Sequence, residues 1–137
     1  MTDNSLVALA IEAMQNSYSP YSGYKVGAAL LTENNEVYKG CNIENVAFGP
    51  TVCAERVAFL KALSEGEKSF KKIAVAGGKN GEIKGAFPPC GVCRQLMREF
   101  CSDDFEVLIV KENNNFDKVL LKDLLPLSFK PEILDIK

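Results

Sequence analysis

Cys53-Ala54-Glu55-Arg56 and Pro88-Pro89-Cys90-Gly91-Val92-Cys93-Arg94-Gln95 are the stretches around which this chain is organised. Cys90 and Cys93 stand at i and i+3, so in the first turn of a helix their sulfurs share one face. That is chelate spacing for a tetrahedral metal such as zinc. A third thiolate, from Cys53, leaves one position open for water, as catalytic sites do and closed structural sites do not. Glu55, two residues further on, can reach that water without being a ligand itself. The two stretches must therefore meet in space.

Around them, helical and strand patterns alternate. Leu6, Leu9, Ala10, Ala13 and Met14 recur at helical spacing, which predicts a helix over Asp3–Ser17 with Thr2 or Asp3 as N-cap. Tyr24–Thr32 reads as a buried strand, Asn34-Asn35 as a turn, and Glu36–Glu44 as the antiparallel return. A helix from about Val52 to Ser64 follows, with Ala58, Leu60 and Leu63 facing the core and Gly66 ending it. Phe70–Ala76 is the next strand and Gly77–Pro89 a glycine-rich loop. Pro88-Pro89 stiffens the approach to a helix over Gly91–Cys101. Phe105–Lys111 and Lys118–Leu121 complete the strands, turned by three asparagines, and Lys122–Leu125 gives one helical turn. The order predicts a single α/β domain over residues 1–137. Its architecture is a three-layer α/β/α sandwich on a mixed five-stranded sheet. Both cysteine stretches leave a strand and open a helix, so they can meet at one end of that sheet.

Composition narrows the chemistry. The chain has 137 residues, 47% hydrophobic and 25% charged, with a formal net charge of −2. That balance gives no electrostatic reason to expect nucleic acid or an anionic membrane as partner. No apolar run is long enough to span a bilayer, and Thr2-Asp3-Asn4 does not begin a secretory leader. Five cysteines, an odd number, argue against a fully paired disulfide framework and for a reducing, cytoplasmic setting. There is no histidine at all. A general base must then be a carboxylate, a thiolate or a depressed lysine, and Ser-His and Cys-His catalysis is excluded.

Taken alone, the Cys-x-x-Cys pair fits a redox couple, half of a four-cysteine structural zinc site, or a catalytic zinc site. A structural site needs a fourth sulfur, and Cys41 and Cys101 are poorly placed to give one; both read as small buried residues. Charge adds a constraint. Three thiolates around Zn²⁺ leave a net −1, which opposes ionising a bound water. Two helix N-termini and Arg56 are the available compensation, Arg56 by donating to thiolates. Its plain alternative is a surface salt bridge. Asn42-Ile43-Glu44 sets an amide and a carboxylate on one strand face. They are either a solvated strand end or a pair able to hydrogen-bond sugar hydroxyls.

Over nearly its whole length the chain resembles the small, homotetrameric cytidine deaminases. The resemblance is carried by Ser19-Pro20-Tyr21-Ser22 through Val26-Gly27-Ala28-Ala29, Gly40-Cys41-Asn42-Ile43-Glu44-Asn45, Cys53-Ala54-Glu55-Arg56 and Pro89-Cys90-Gly91-Val92-Cys93-Arg94-Gln95. Leu124-Leu125-Pro126 with Phe129 matches the family's C-terminal segment. The resemblance implies one Zn²⁺ per chain on Cys53, Cys90 and Cys93, with Glu55 as proton shuttle while zinc hydroxide attacks C4. It implies Asn42 and Glu44 on the ribose, Tyr24 against the pyrimidine, and Ala54 among the substrate contacts. Phe48 and Phe129 would reach into a neighbouring subunit's site. Phe48 stands where the family commonly has Tyr, and so lacks that hydroxyl. The implied reaction is deamination of cytidine, and of deoxycytidine, to uridine and ammonia in pyrimidine salvage. Alternatives are a deaminase of a modified cytosine nucleoside antibiotic and a structural-zinc binding module. Nucleic-acid editing finds no support, since no basic stripe or run of stacking aromatics is present.

Overall fold

The computed structural model describes residues 1–136. Thr2 caps the first helix, α1 (Asp3–Ala13), by accepting a hydrogen bond from the Ser5 amide. The expected helix runs on only as a 3₁₀ turn, Met14–Asn16. The strands are β1 (Tyr24–Thr32), β2 (Val37–Cys41), β3 (Phe70–Lys79), β4 (Glu106–Val110) and β5 (Phe116–Leu120). The remaining helices are α2 (Ala54–Ser64), α3 (Gly91–Phe100) and the single turn α4 (Leu121–Leu124).

One five-stranded sheet has the order β2-β1-β3-β4-β5. Only β3 and β4 pair in parallel; the other neighbours are antiparallel, so the sheet is mixed as expected. Alternation along the strands divides two cores. Val26, Ala28, Leu30, Ile73, Val75, Val107 and Ile109 pack with α2 and α3. Ala29, Leu31, Ala74, Ala76, Leu108 and Val110 pack with α1. The three-layer α/β/α sandwich follows directly.

Several expectations need correction. The return strand ends at Cys41 rather than Glu44, because Ile43 leaves the β1 ladder and bridges Tyr18 and Val52. Asn42 and Glu44 therefore sit on an irregular segment beyond the strand. β3 is longer than predicted: Gly77, Gly78 and Lys79 pair with Val26, Lys25 and Tyr24 instead of forming loop. In α2 the buried face is Ala54, Ala58, Phe59 and Ala62, while Leu60 is 52% exposed. Cys41 and Cys101 are half-buried rather than fully buried.

Small residues let α2 lie close on the sheet. A Cβ on Gly40 would fall 2.5 Å from the Ala54 carbonyl oxygen and 2.6 Å from the Ala58 amide. A side chain there would push away the first turn of α2, and with it Cys53. Among the described residues no helix is long and apolar enough to cross a membrane.

Candidate active site

Cys53 is the N-cap of α2 and Cys90 the N-cap of α3, with Cys93 in the first turn of α3. The Sγ atoms of Cys53 and Cys90 are 3.8 Å apart, and those of Cys90 and Cys93 are 3.5 Å apart. All three lie within 4.8 Å of one another. Zinc–sulfur bonds of about 2.3 Å at tetrahedral angles put sulfurs about 3.8 Å apart. The thiol cluster thus has the dimensions of one zinc ion, and Cys41 and Cys101 lie outside it among the described residues.

The surroundings favour the thiolate at Cys53. A hydrogen bond from the Cys93 thiol, assisted by Cys90 and by the nearby Arg56 guanidinium, draws Cys53 down to about 5. Cys93 is correspondingly pushed up by its bond to Cys53 and by burial. Two helix N-termini aim partial positive charge at these sulfurs.

Glu55 lies in the first turn of α2 and is only 4% exposed. Burial pushes its carboxyl up to about 7, with the Cys53 charge adding to the rise. A carboxyl balanced near neutral pH can take and return a proton.

Arg56 is no surface salt bridge. Its Nη2 donates to the Thr51 carbonyl at 3.0 Å, and its Nε is buried without a hydrogen-bond partner. Its guanidinium lies close enough to lower the Cys53 thiol.

Asn42, 8% exposed, is tied down on three sides. Its Oδ1 accepts from the Ser17 hydroxyl at 2.5 Å and the Val26 amide at 3.0 Å, and its Nδ2 donates to the Tyr24 carbonyl at 2.7 Å. One Nδ2 hydrogen remains to donate. Glu44 is fixed as an acceptor: Oε1 receives the Tyr21 and Ser22 amides, and Oε2 the Ser22 hydroxyl. Those bonds, that of the Ser22 hydroxyl foremost, hold its carboxyl below the usual range. The sequence carries no local signal for the role of Ser17, and for Ser22 only its place in the Ser-Pro-Tyr-Ser run.

Glu44, Tyr21, Ser22, Phe48 and Thr51 line a cavity of about 360 Å³. Phe48 is 68% exposed, at φ 63°, and meets Tyr21 edge-on at 5.8 Å. Tyr24 borders the same end of the sheet. Ala54 is wholly buried, its side chain in the core cluster, directly after Cys53 at the start of α2. Phe129 is 60% exposed, and its carbonyl accepts from Gln95 Nε2 at 2.8 Å. Arg94 donates to the Pro89 carbonyl at 2.8 Å and the Leu124 carbonyl at 2.9 Å. The two residues after Cys93 thus bind the C-terminal segment to the metal loop.

Three cysteine sulfurs within reach of one metal ion, with a buried carboxyl two residues from Cys53, are the donor set of a zinc-binding domain. A family model, the cytidine and deoxycytidylate deaminase zinc-binding region, matches residues 1–109. The chain is 42% identical to a cytidine deaminase of Sporosarcina psychrophila, covering 98% of this chain and 96% of that one. It is 32% identical to a blasticidin-S deaminase of Bacillus cereus, covering 93% and 91% respectively. A crystal structure of cytidine deaminase from Burkholderia pseudomallei superposes with TM-score 0.87 at 40% identity, covering 94% of this chain and 100% of that one. The chain belongs to the cytidine and deoxycytidylate deaminase zinc-binding family, and one zinc per chain fits its three cysteines.

Proposed function

We propose that the chain hydrolyses cytidine, and 2′-deoxycytidine, to the uracil nucleoside and ammonia. The observation that carries this reading is the thiol cluster at zinc spacing with the buried Glu55 carboxyl beside it. Cys53, Cys90 and Cys93 would hold the zinc, which supplies Lewis acidity to lower the pKa of a water. Glu55 takes a proton from the attacking water and delivers it at N3 of the base; it then takes the remaining proton from the hydroxyl added at C4 and gives it to the departing amine. One carboxyl serves in turn as base and acid. Water adds its oxygen to C4, and the C4–N bond breaks to release ammonia.

Glu44 accepts hydrogen bonds from ribose hydroxyls, and Asn42 donates its remaining Nδ2 hydrogen. Their tethers to Ser22, Ser17 and the β1 backbone set both before substrate arrives, which lowers the ordering cost of binding. Tyr24 supplies the aromatic contact to the base. Arg56 offsets the excess negative charge of three thiolates from behind Cys53.

Assembly into a homotetramer is part of this reading. Phe48, Val92, Leu127, Phe129, Leu134 and Ile136 are all exposed apolar residues that contacts between copies would cover. Phe48 and Phe129 would then complete a neighbour's site. Five free thiols support a reducing, cytoplasmic setting, and nucleoside salvage suits the reaction.

The test is ultraviolet monitoring of cytidine, deoxycytidine and free cytosine conversion, with a zinc count per chain. Turnover of the nucleosides far above free cytosine, at one zinc per chain, is the expected result. Equal efficiency on cytosine would remove the ribose roles of Asn42 and Glu44. The similarity to a blasticidin-S deaminase favours one second reading, a modified cytosine nucleoside as substrate. Blasticidin S assayed beside cytidine separates the two.

A further inference from the structure

Gly77 and Gly78 are adjacent strand residues and so point to opposite faces of β3. The connection that leads to Cys90 uses both gaps. A Cβ on Gly78 would lie 1.9 Å from the Glu82 carbonyl oxygen, and one on Gly77 would lie 2.7 Å from Cδ1 of Phe87. The connection therefore lies against one face of β3 at Glu82 and against the other at Phe87.

On that second face Phe87 meets Tyr24, with ring centroids 5.9 Å apart and planes tilted by 31°. The sheet register explains the meeting: Tyr24 pairs with Lys79 and Val26 with Gly77, so Tyr24 and Gly77 are diagonal neighbours on one face. Lys79 Nζ stands 5.7 Å from the Tyr24 centroid. The Tyr24 hydroxyl has no hydrogen-bond partner among the described residues. The position of this half-exposed ring is thus set by Phe87 and by an exposed lysine, of which the packed ring is the firmer constraint.

We infer that Phe87 is a positioning residue for the base-binding end of the cleft: seated on Gly77, its ring fixes Tyr24 and ties Tyr24 to the loop carrying Cys90. The inference rests on the reading of Tyr24 as the contact to the pyrimidine. Phe87 touches neither substrate nor metal in this account.

The experiment is a double-mutant cycle on the zinc-loaded enzyme, with KM and kcat for cytidine and zinc content measured for Tyr24→Ala, Phe87→Ala and the double variant. Phe87→Ala should raise KM roughly three- to tenfold, the worth of one aromatic pair, with zinc retained and kcat little changed. Phe87→Tyr, which keeps the ring, should restore the parent KM. In the Tyr24→Ala background the Phe87 substitution should add nothing. Equal factors in both backgrounds, or a change in kcat alone, overturns the inference. Zinc loss in Phe87→Ala and in the milder Phe87→Leu also overturns it, making the ring a support of the metal loop. A parent-like KM in Tyr24→Ala removes the Tyr24 reading itself, and a raised KM in Phe87→Ala would then mark Phe87 as a direct contact, against the inference.

Discussion

Glu55 suits the proposed proton transfer because of where it is buried. An exposed glutamate is ionised at neutral pH and returns a proton poorly; burial in the first turn of α2 brings this one to about 7. Glu55→Gln keeps the shape and hydrogen bonding but cannot carry the proton. Turnover should fall by about 10²–10⁴-fold while zinc content and nucleoside binding persist. Near-parent turnover by the zinc-loaded variant would put the proton carrier elsewhere. Arg56 acts at the same scale through charge. Arg56→Gln retains donors but loses the cation beside Cys53, so the water becomes harder to ionise. Turnover should drop by about 10–100-fold, and the limb of the pH–rate profile that reports ionisation should move to higher pH. Arg56→Asp should be worse and should lower zinc content. An unchanged profile in Arg56→Gln would leave the compensation to the two helix N-termini.

At the scale of elements, α1 is fastened to the sheet by a small ionic clamp. Asp3 accepts from Lys72 and Lys118 at 2.8 Å each, and Glu106 stands 3.1 Å from Lys72. The two lysines, Lys118 foremost, hold the Asp3 carboxyl below its ordinary value, and both lysines are raised in turn. The sign follows from linkage. The Asp3 contribution is present above the unfolded carboxyl value and is lost as pH falls through the lowered folded one. The lysine contribution is present below their unfolded value and is lost as pH rises through the raised folded ones. Asp3→Asn should therefore lower Tm by about 2–4 °C near neutrality, and the difference should vanish as pH falls through the lowered Asp3 value. A difference that persists in strong acid would point to packing instead of charge. The elements themselves were largely legible from sequence, because periodicity and caps are local signals. Failures came where a tertiary contact overrode a local one. Gly77 and Gly78 look like loop, yet β1 pairs with them. Leu60 is apolar and still faces outward, since the helical phase is set by Ala54, Ala58 and Phe59. The three cysteines and Glu55 could be placed because each opens a helix. The tethers Ser17–Asn42 and Ser22–Glu44 could not, because they join residues 25 and 22 positions apart across irregular backbone.

For the whole molecule, the proposed assembly makes a prediction through the exposed rings of Phe48 and Phe129. If Phe48 and Phe129 complete a neighbour's pocket, specific activity should fall on dilution as the oligomer dissociates. Sedimentation at assay concentration decides the point, and a fully active monomer would end the idea. Another consequence lies in the order of the sheet. β1–β2 and β4–β5 are antiparallel neighbours joined by short turns, able to form early and locally. β3 belongs to neither; it enters between them, antiparallel to one and parallel to the other, after long stretches of chain on either side. Its insertion is the step with the greatest loop-closure cost. Cys53 lies on the chain leading into that strand, and Cys90 and Cys93 on the chain leading out. A zinc ion held by these cysteines would act as a clasp across the central strand, joining its two connections. Chelation should speed unfolding in denaturant far more than it slows refolding, when stopped-flow rates are compared with and without zinc. What commits this enzyme to its chemistry would also set how long it stays folded.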